Sequence, residues 1–221
     1  MKQQVLDHYH EYSEPLEGRV HSMYLDILGL VTTGVGNLID TPEAAAQLPW
    51  KHADGRVATR VEVGDAWREL KSRKDLAKMH WKFAAALNDL RLSDVDIDAL
   101  VRSKLMANEA YIRGHYFPDW DNFPADAQLG CMSMAWAVGP GFPAKFGNFT
   151  NRVLAGDWHG AAACCTIRED GNPGVVPRNK ANRVCFENAA VVVTGSLDRD
   201  VLNWPATVMP PVIITPSEAD T

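Results

Sequence analysis

The stretch Leu16-Glu17-Gly18-Arg19-Val20-His21-Ser22-Met23-Tyr24-Leu25-Asp26-Ile27-Leu28-Gly29-Leu30-Val31-Thr32-Thr33-Gly34-Val35-Gly36-Asn37 decides the reading of this chain. Ahead of it, Gln3 to about Glu14 suits a first helix with Val5, Leu6 and Tyr9 on its apolar face, and Pro15 disturbs the last turn. Gly18 suits the left-handed turn that ends a helix, so the Glu17 carboxylate sits where that helix stops. Tyr24-Leu25-Asp26 reads as a short strand, Ile27-Leu28-Gly29 as a turn, and Leu30 to Gly36 as the return strand of a tight β-hairpin. Side chains alternate along a strand, which groups Thr32, Gly34 and Gly36 on one face and Val31, Thr33 and Val35 on the other. The expected result is a cleft wall with room for a bulky ligand. It carries a hydroxyl from Thr32 and two carboxylates, Asp26 from the neighbouring strand and Glu17 from the helix end.

Such a trio suits glycoside hydrolysis. One carboxylic acid protonates the leaving oxygen while a second group attacks carbon or activates water. Partial burial would raise the pKa of Glu17 for the acid role, and a hydrated hairpin would keep Asp26 ionised. Thr32 would hold the attacking water against Asp26, because a hydroxyl both donates and accepts. Each residue also has an ordinary structural explanation: Glu17 ends a helix, Asp26 starts a turn, and Thr32 belongs in a strand.

Taken together, the pattern resembles the catalytic signature of the phage-type lysozymes, glycoside hydrolase family 24. Glu17-Gly18, Tyr24-x-Asp26, Gly29 and Thr32-x-Gly34-x-Gly36 all stand at that motif's spacing. The resemblance implies an α+β, mainly helical fold: a small lobe with a β-hairpin, a long connecting helix and a helical second lobe. It implies Glu17 as general acid, Asp26 as the water-side carboxylate and Thr32 as its helper, usually with inversion. Tyr24, Gly34, Gly36 and Asn37 become candidate substrate-binding residues, although the family commonly has histidine where this chain has Asn37. The implied substrate is the peptidoglycan glycan strand, cut between N-acetylmuramic acid and N-acetylglucosamine without cofactor or metal.

With 221 residues the chain is long enough to bury a real core. Hydrophobic residues make up 46% and charged residues 23%, with no run of eighteen apolar residues, which points to a globular chain without membrane insertion. A net charge of -6 argues against a nucleic-acid partner. It fits a delivered antibacterial toxin domain slightly better than a free lysis enzyme, and for such a domain an immunity or inhibitor protein is a natural partner. The start Met1-Lys2-Gln3-Gln4-Val5-Leu6-Asp7-His8 has no signal-peptide pattern, so the expectation is synthesis in the cytoplasm and action on the wall after release or delivery. A monomer is expected. Cys131, Cys164, Cys165 and Cys185 form no C-x-x-C pair and read as buried reduced thiols in preference to a disulfide. His8, His10, His21, His52, His80, His115 and His159 show no zinc-site spacing.

Along the chain, residues 1–195 read as the catalytic domain and 196–221 as a proline-rich tail. Within the domain, 1–92 form the small lobe, 93–113 the connecting helix and 114–195 the helical lobe. Thr41 caps and Pro42 opens a short alanine-rich helix to about Leu48. Residues 50–92 exceed what compact members of the family carry. There Val57 to Val61 reads as extended and Asp65 to about Asn88 as one or two helices, serving either to shape substrate entry or to buttress the small lobe. The cluster Arg68, Lys71, Arg73 and Lys74 suits contact with wall carboxylates or, as such runs more often do, a solvated face. Ser93 caps a helix to about Arg113. In the second lobe Ala125 to Val138, Phe146 to Leu154 and Trp158 to Ile167 read as helices. Trp136 suits either the core or the floor of a sugar cleft. The segment Arg178-Asn179-Lys180-Ala181-Asn182-Arg183-Val184 resembles the family's basic last helix, which by likeness brings Lys180 or Arg183 to Glu17. In the tail, Val201, Trp204 and Ile213 are expected to wrap the lobe, with Pro210, Pro211 and Pro216 precluding regular structure and fraying after Thr215.

Rival activities are chitin cleavage and a transglycosylase, the latter disfavoured by Asp26. A rival of another class is a non-catalytic wall-binding or partner-binding module on the same fold.

Overall fold

The computed structural model describes residues 1–172 and 174–209. Pro210, Pro211, Ile213, Thr215 and Pro216 of the tail lie outside the described residues. The fold is α+β and mainly helical, with one three-stranded antiparallel sheet in the order β1-β2-β3. The chain divides into two compact units, His10–Met106 and a second made of Met1–Tyr9 with the chain from Ala107 onward. The divisions fall inside two helices, α1 (Gln3–Glu17) and α5 (Asp94–His115).

In the hairpin unit, α1 runs three residues past the expected end, through Pro15 to Glu17. Proline lacks one N–H, but the turn closes around it: Gly18, at φ +74°, donates to the Glu14 carbonyl at 2.8 Å. The sheet also departs from the expected hairpin. Strand β1 (Val20–Leu25) starts four residues before Tyr24, and the return strand stops at Gly34 as β2 (Val31–Gly34). A tight turn through Val35 and Gly36 then leads to a third strand, β3 (Asn37–Leu38). Gly34 and Gly36 sit at φ +62° and +71°, conformations that break a strand, so Gly36 does not continue the alternation of β2. Nor is β2 bare on one face, since all four of its residues are buried. Val31 and Val35 enter the core, and the Thr33 hydroxyl, fully buried, donates to the Ser22 carbonyl at 3.0 Å.

Residues 50–92 are integral to this unit. Helix α2 (Pro42–Ala45), capped by Thr41, packs on α3 (Arg60–Ser72), and α3 packs on β1 and β2. After a 3-10 turn at Lys74–Lys78, helix α4 (Trp81–Ala85) also packs on β1. Helix α3 begins where an extended piece was expected. Thr59 accepts from the Glu62 N–H while Glu62 accepts from the Thr59 N–H, a capping box that starts the helix at Arg60. The segment is stitched down by Trp67 Nε1 donating to the Ile39 carbonyl at 2.9 Å and by Leu92 N–H donating to the His21 carbonyl at 2.9 Å. This packing buttresses the small sheet.

In the helical unit, α6 (Ala125–Val138) is the buried centre and packs against α10 (Val175–Thr194). Gly130 permits the approach: a Cβ there would lie 2.7 Å from Phe186 Cζ. Around this pair stand α7 (Phe142–Lys145), α8 (Gly147–Leu154) and α9 (Trp158–Cys164). The expected helix from Phe146 to Leu154 is thus α8 preceded by a separate turn of helix, and α9 ends three residues before Ile167. The tail to Met209 is held without regular structure. Asp126, fully buried near the start of α6, accepts from Asn188 Nδ2, Asn203 N–H and Nδ2, and Trp204 N–H at 2.9–3.0 Å. All four cysteines are free, and burial pushes the Cys165 thiol up to about 11.

Candidate active site

Glu17 reaches its place because α1 ends at Gly18 and Arg19 then anchors the junction. Arg19 binds the Glu14 carboxylate at 2.5 Å, Asp98 at 2.6 Å and Asp94 at 3.2 Å, joining the end of α1 to the start of α5. That start is fixed by Ser93 and Asp96, each bonding the other's backbone N–H. The Glu17 side chain is half-buried beside this junction.

Tyr24 lies on β1, within reach of the charges of both carboxylates. Burial first, then the charges of Glu17 and Asp26, push its phenol up to about 12. Both carboxylates therefore act on a single hydroxyl, and at neutral pH that hydroxyl keeps its proton. Across the sheet Tyr24 pairs with Thr32, so the two side chains leave the same face. Thr32 is buried, and its hydroxyl donates to the Leu30 carbonyl at 3.3 Å.

Asp26 begins the turn. Its Oδ1 accepts from the N–H of Leu28 at 2.8 Å and of Leu30 at 2.9 Å, while its own N–H donates to the Leu30 carbonyl at 2.9 Å. Leu30 thereby links Asp26 and Thr32 through one residue of backbone. Gly29, at φ +75°, closes the turn by donating to the Asp26 carbonyl.

Gly34 could not be another residue without strain: besides its positive φ, a Cβ would lie 3.0 Å from Asn37 Oδ1. Asn37 itself is buried at 3% exposure, and its Oδ1 accepts the Val35 N–H at 3.1 Å, so its carbonyl end serves the turn between β2 and β3. Gly36 offers its carbonyl to Lys104 Nζ at 3.1 Å. Trp136 belongs to the helical unit, where it is buried with its ring 5.3 Å from that of Tyr9. Lys180 and Arg183 belong to that unit as well.

The hairpin unit thus brings together Glu17, Tyr24, Asp26 and Thr32. Sequence reasoning missed three residues that hold them. Arg19 had a signal in its position directly after the Glu17-Gly18 turn, with acids on both sides of it in the fold. Lys104 and Lys71 had none. Lys71 points inward, donating to the Gly29 carbonyl at 2.9 Å and to Asp40 at 2.6 Å, where Asp40 also accepts the Val31 N–H. It therefore clamps the turn that carries Asp26. Burial would raise the Asp40 carboxyl, but the Lys71 hydrogen bond, the Val31 N–H and the Lys71 charge together hold it below its usual value. Of the expected basic cluster, Arg68 instead pairs with Asp65 and Arg73 with Asp75.

The group supplies two carboxylates and two hydroxyls, residue types that acid–base chemistry uses, with Tyr24 and Thr32 on one face of the sheet. Among the described residues no group of three or more histidines, cysteines or acids is placed to hold a metal ion. No family model matches the chain, and a search of curated proteins finds no match either, so the functional reading stands on these residues and their geometry.

Proposed function

We propose that this protein is a muramidase with a lysozyme-like architecture, hydrolysing the β-1,4 bond between N-acetylmuramic acid and N-acetylglucosamine in bacterial peptidoglycan. The observation that carries the reading is the Tyr24 phenol lying in the field of both Glu17 and Asp26, opposite Thr32. In this reading Glu17 protonates the leaving glycosidic oxygen. Asp26, on the water side, uses the carboxylate oxygen not committed to the turn to take a proton from the attacking water, which Thr32 helps to orient. The Tyr24 hydroxyl, protonated at neutral pH, keeps a donor within reach of both charges. The cell wall is the site of action, reached through phage lysis or delivery as an antibacterial effector.

The test is digestion of purified peptidoglycan by the protein and by its Glu17→Gln variant, with mass spectrometry of the released fragments. Disaccharide peptides ending in reducing N-acetylmuramic acid, absent with the variant, support the reading. No fragments from either protein sink it. One observation favours a second reading, a wall-binding module without turnover: Asp26 Oδ1 already carries the two N–H bonds that a purely structural turn aspartate carries. Retention on peptidoglycan without cleavage is its signature.

A further inference from the structure

Turn chemistry explains Asp26 and Gly29 but not the two residues between them. A tight hairpin turn favours Asn, Asp, Gly or Ser at its tip, yet this one carries Ile27 and Leu28, exposed at 79% and 77%. Neither packs into the core, so the fold gains nothing from their apolar character. They line a hollow of about 370 Å³ together with Gly29, Leu30, Lys71, Lys74 and Ala77. The turn tip and the 3-10 turn at Lys74–Lys78 therefore share one surface. Just beyond it in the chain come two more exposed apolar residues, Met79 at 44% and Phe83 at 55%.

The charge around these residues is concentrated. Residues 68–82 contain six Lys or Arg against two Asp or Glu, in a chain whose net charge is -6. Arg68, Lys71 and Arg73 are each paired with an acid. Lys74, Lys78 and Lys82 are exposed, and among the described residues none of the three has an ion-pair partner.

We propose that the Ile27-Leu28 turn tip, with Lys74 and Lys78 of the adjoining 3-10 turn, is a docking surface for an anionic phospholipid bilayer. Two protruding aliphatic side chains fit the boundary between headgroups and acyl chains, and the lysines fit the phosphates around it. Lysine is a mobile point charge without the fixed fork of arginine, and it is depleted at protein interfaces, so the pattern suits a diffuse anionic surface better than a shaped protein partner. At physiological salt only charges within roughly 8–10 Å of the bilayer act on it, so the acidic remainder of the chain does not cancel the patch. Adsorption of this kind needs no spanning segment, and no described helix is long and apolar enough to span. The proposal is independent of the catalytic reading.

The experiment is flotation of the full chain with vesicles of equimolar phosphatidylglycerol and phosphatidylcholine, against vesicles of phosphatidylcholine alone. Binding to the anionic vesicles only, weakened by added salt, is expected. Each of Lys74→Glu and Lys78→Glu should lower the partition coefficient by about fivefold or more. The double variant Ile27→Ser/Leu28→Ser should lower it comparably, with an unchanged melting curve showing that the turn has folded. Failure to float with anionic vesicles overturns the proposal, as does binding indifferent to these changes. Retention of the Ile27→Ser/Leu28→Ser variant on poly-glutamate and on vesicles alike also overturns it, since the surface would then be a simple polyanion or acidic-protein site.

Discussion

Tyr24 and Thr32 face one another as a cross-strand pair between β1 and β2, and this pairing places the Thr32 hydroxyl on the face where Tyr24 meets the charges of Glu17 and Asp26. Asp26 is then the group whose role can be tested with least disturbance. An asparagine there keeps a carbonyl oxygen for the Leu28 and Leu30 N–H groups, so Asp26→Asn should melt within about 0.5–1 kcal/mol of the parent. If Asp26 activates water, turnover of peptidoglycan should fall by about 10²-fold or more. A turbidity assay on cell-wall fragments beside a thermal melt checks both, and unchanged turnover would remove Asp26 from the mechanism.

Tyr24 makes stability fall at alkaline pH. The folded state holds the phenol proton up to about pH 12, while the unfolded chain releases it near the ordinary tyrosine value of 10.0. The stabilisation is complete below pH 10 and is lost as pH rises through the folded value, to the extent of about 2–3 kcal/mol. Tyr24→Phe removes this component. Urea titrations from neutral pH to about pH 11 should show the parent losing more stability than the variant, and parallel curves would contradict the placement of Tyr24.

Lys71→Met should loosen the turn bearing Asp26. The variant leaves the Gly29 carbonyl and half-buried Asp40 without their shared donor, for a loss of about 1–2 kcal/mol, or about 2–8 °C in melting temperature. Because Asp40 titrates below its usual value in the parent, its contribution is present above the ordinary carboxylate range and is lost as pH falls through the folded value. The gap between parent and variant should therefore be widest near neutrality and shrink on acidification. A gap constant with pH would mean that the pair does not act as charges.

Gly34→Ala places a side chain in left-handed backbone and against Asn37 Oδ1. A cost of about 1–3 kcal/mol is expected, measured by denaturant unfolding. Substitution without cost would show that the β2–β3 turn adopts another conformation.

Gly130→Ala probes the helical unit in the same way. Its Cβ would meet Phe186 at 2.7 Å, and both residues are enclosed between α6 and α10. Overpacking here should cost about 1–3 kcal/mol or more, and restoring space with Gly130→Ala/Phe186→Leu should recover part of it.

Much of the fold was legible in the chain. Helix boundaries at Gly18, Thr41 and Ser93 were readable because caps and left-handed turns depend on residues a few positions apart. The start of α3 was legible too, in Thr59-x-x-Glu62, but reading Val57 to Val61 by β-propensity hid it. The hairpin was recognisable, its third strand was not: the positive φ of Gly34 and Gly36 ends β2, and only the buried Asn37 side chain holding Val35 shows why.

The sequence by itself determined the local conformations and the spacing that sets Tyr24, Asp26 and Thr32 on one hairpin with Glu17 at the helix end just before it, because strand alternation and turn chemistry act over short range. Tertiary structure alone decided which charged side chains hold that hairpin and which remain outside. Lys71 meets Asp40 across 31 residues, and Arg19 meets Asp98 across 79, while Lys74, three positions from Lys71, stays in solvent. Nothing in a lysine's neighbours along the chain encodes such a partner. The choice depends on how α3 is rotated against β1 and β2, and that rotation follows from packing Val63, Ala66 and Leu70 into the core.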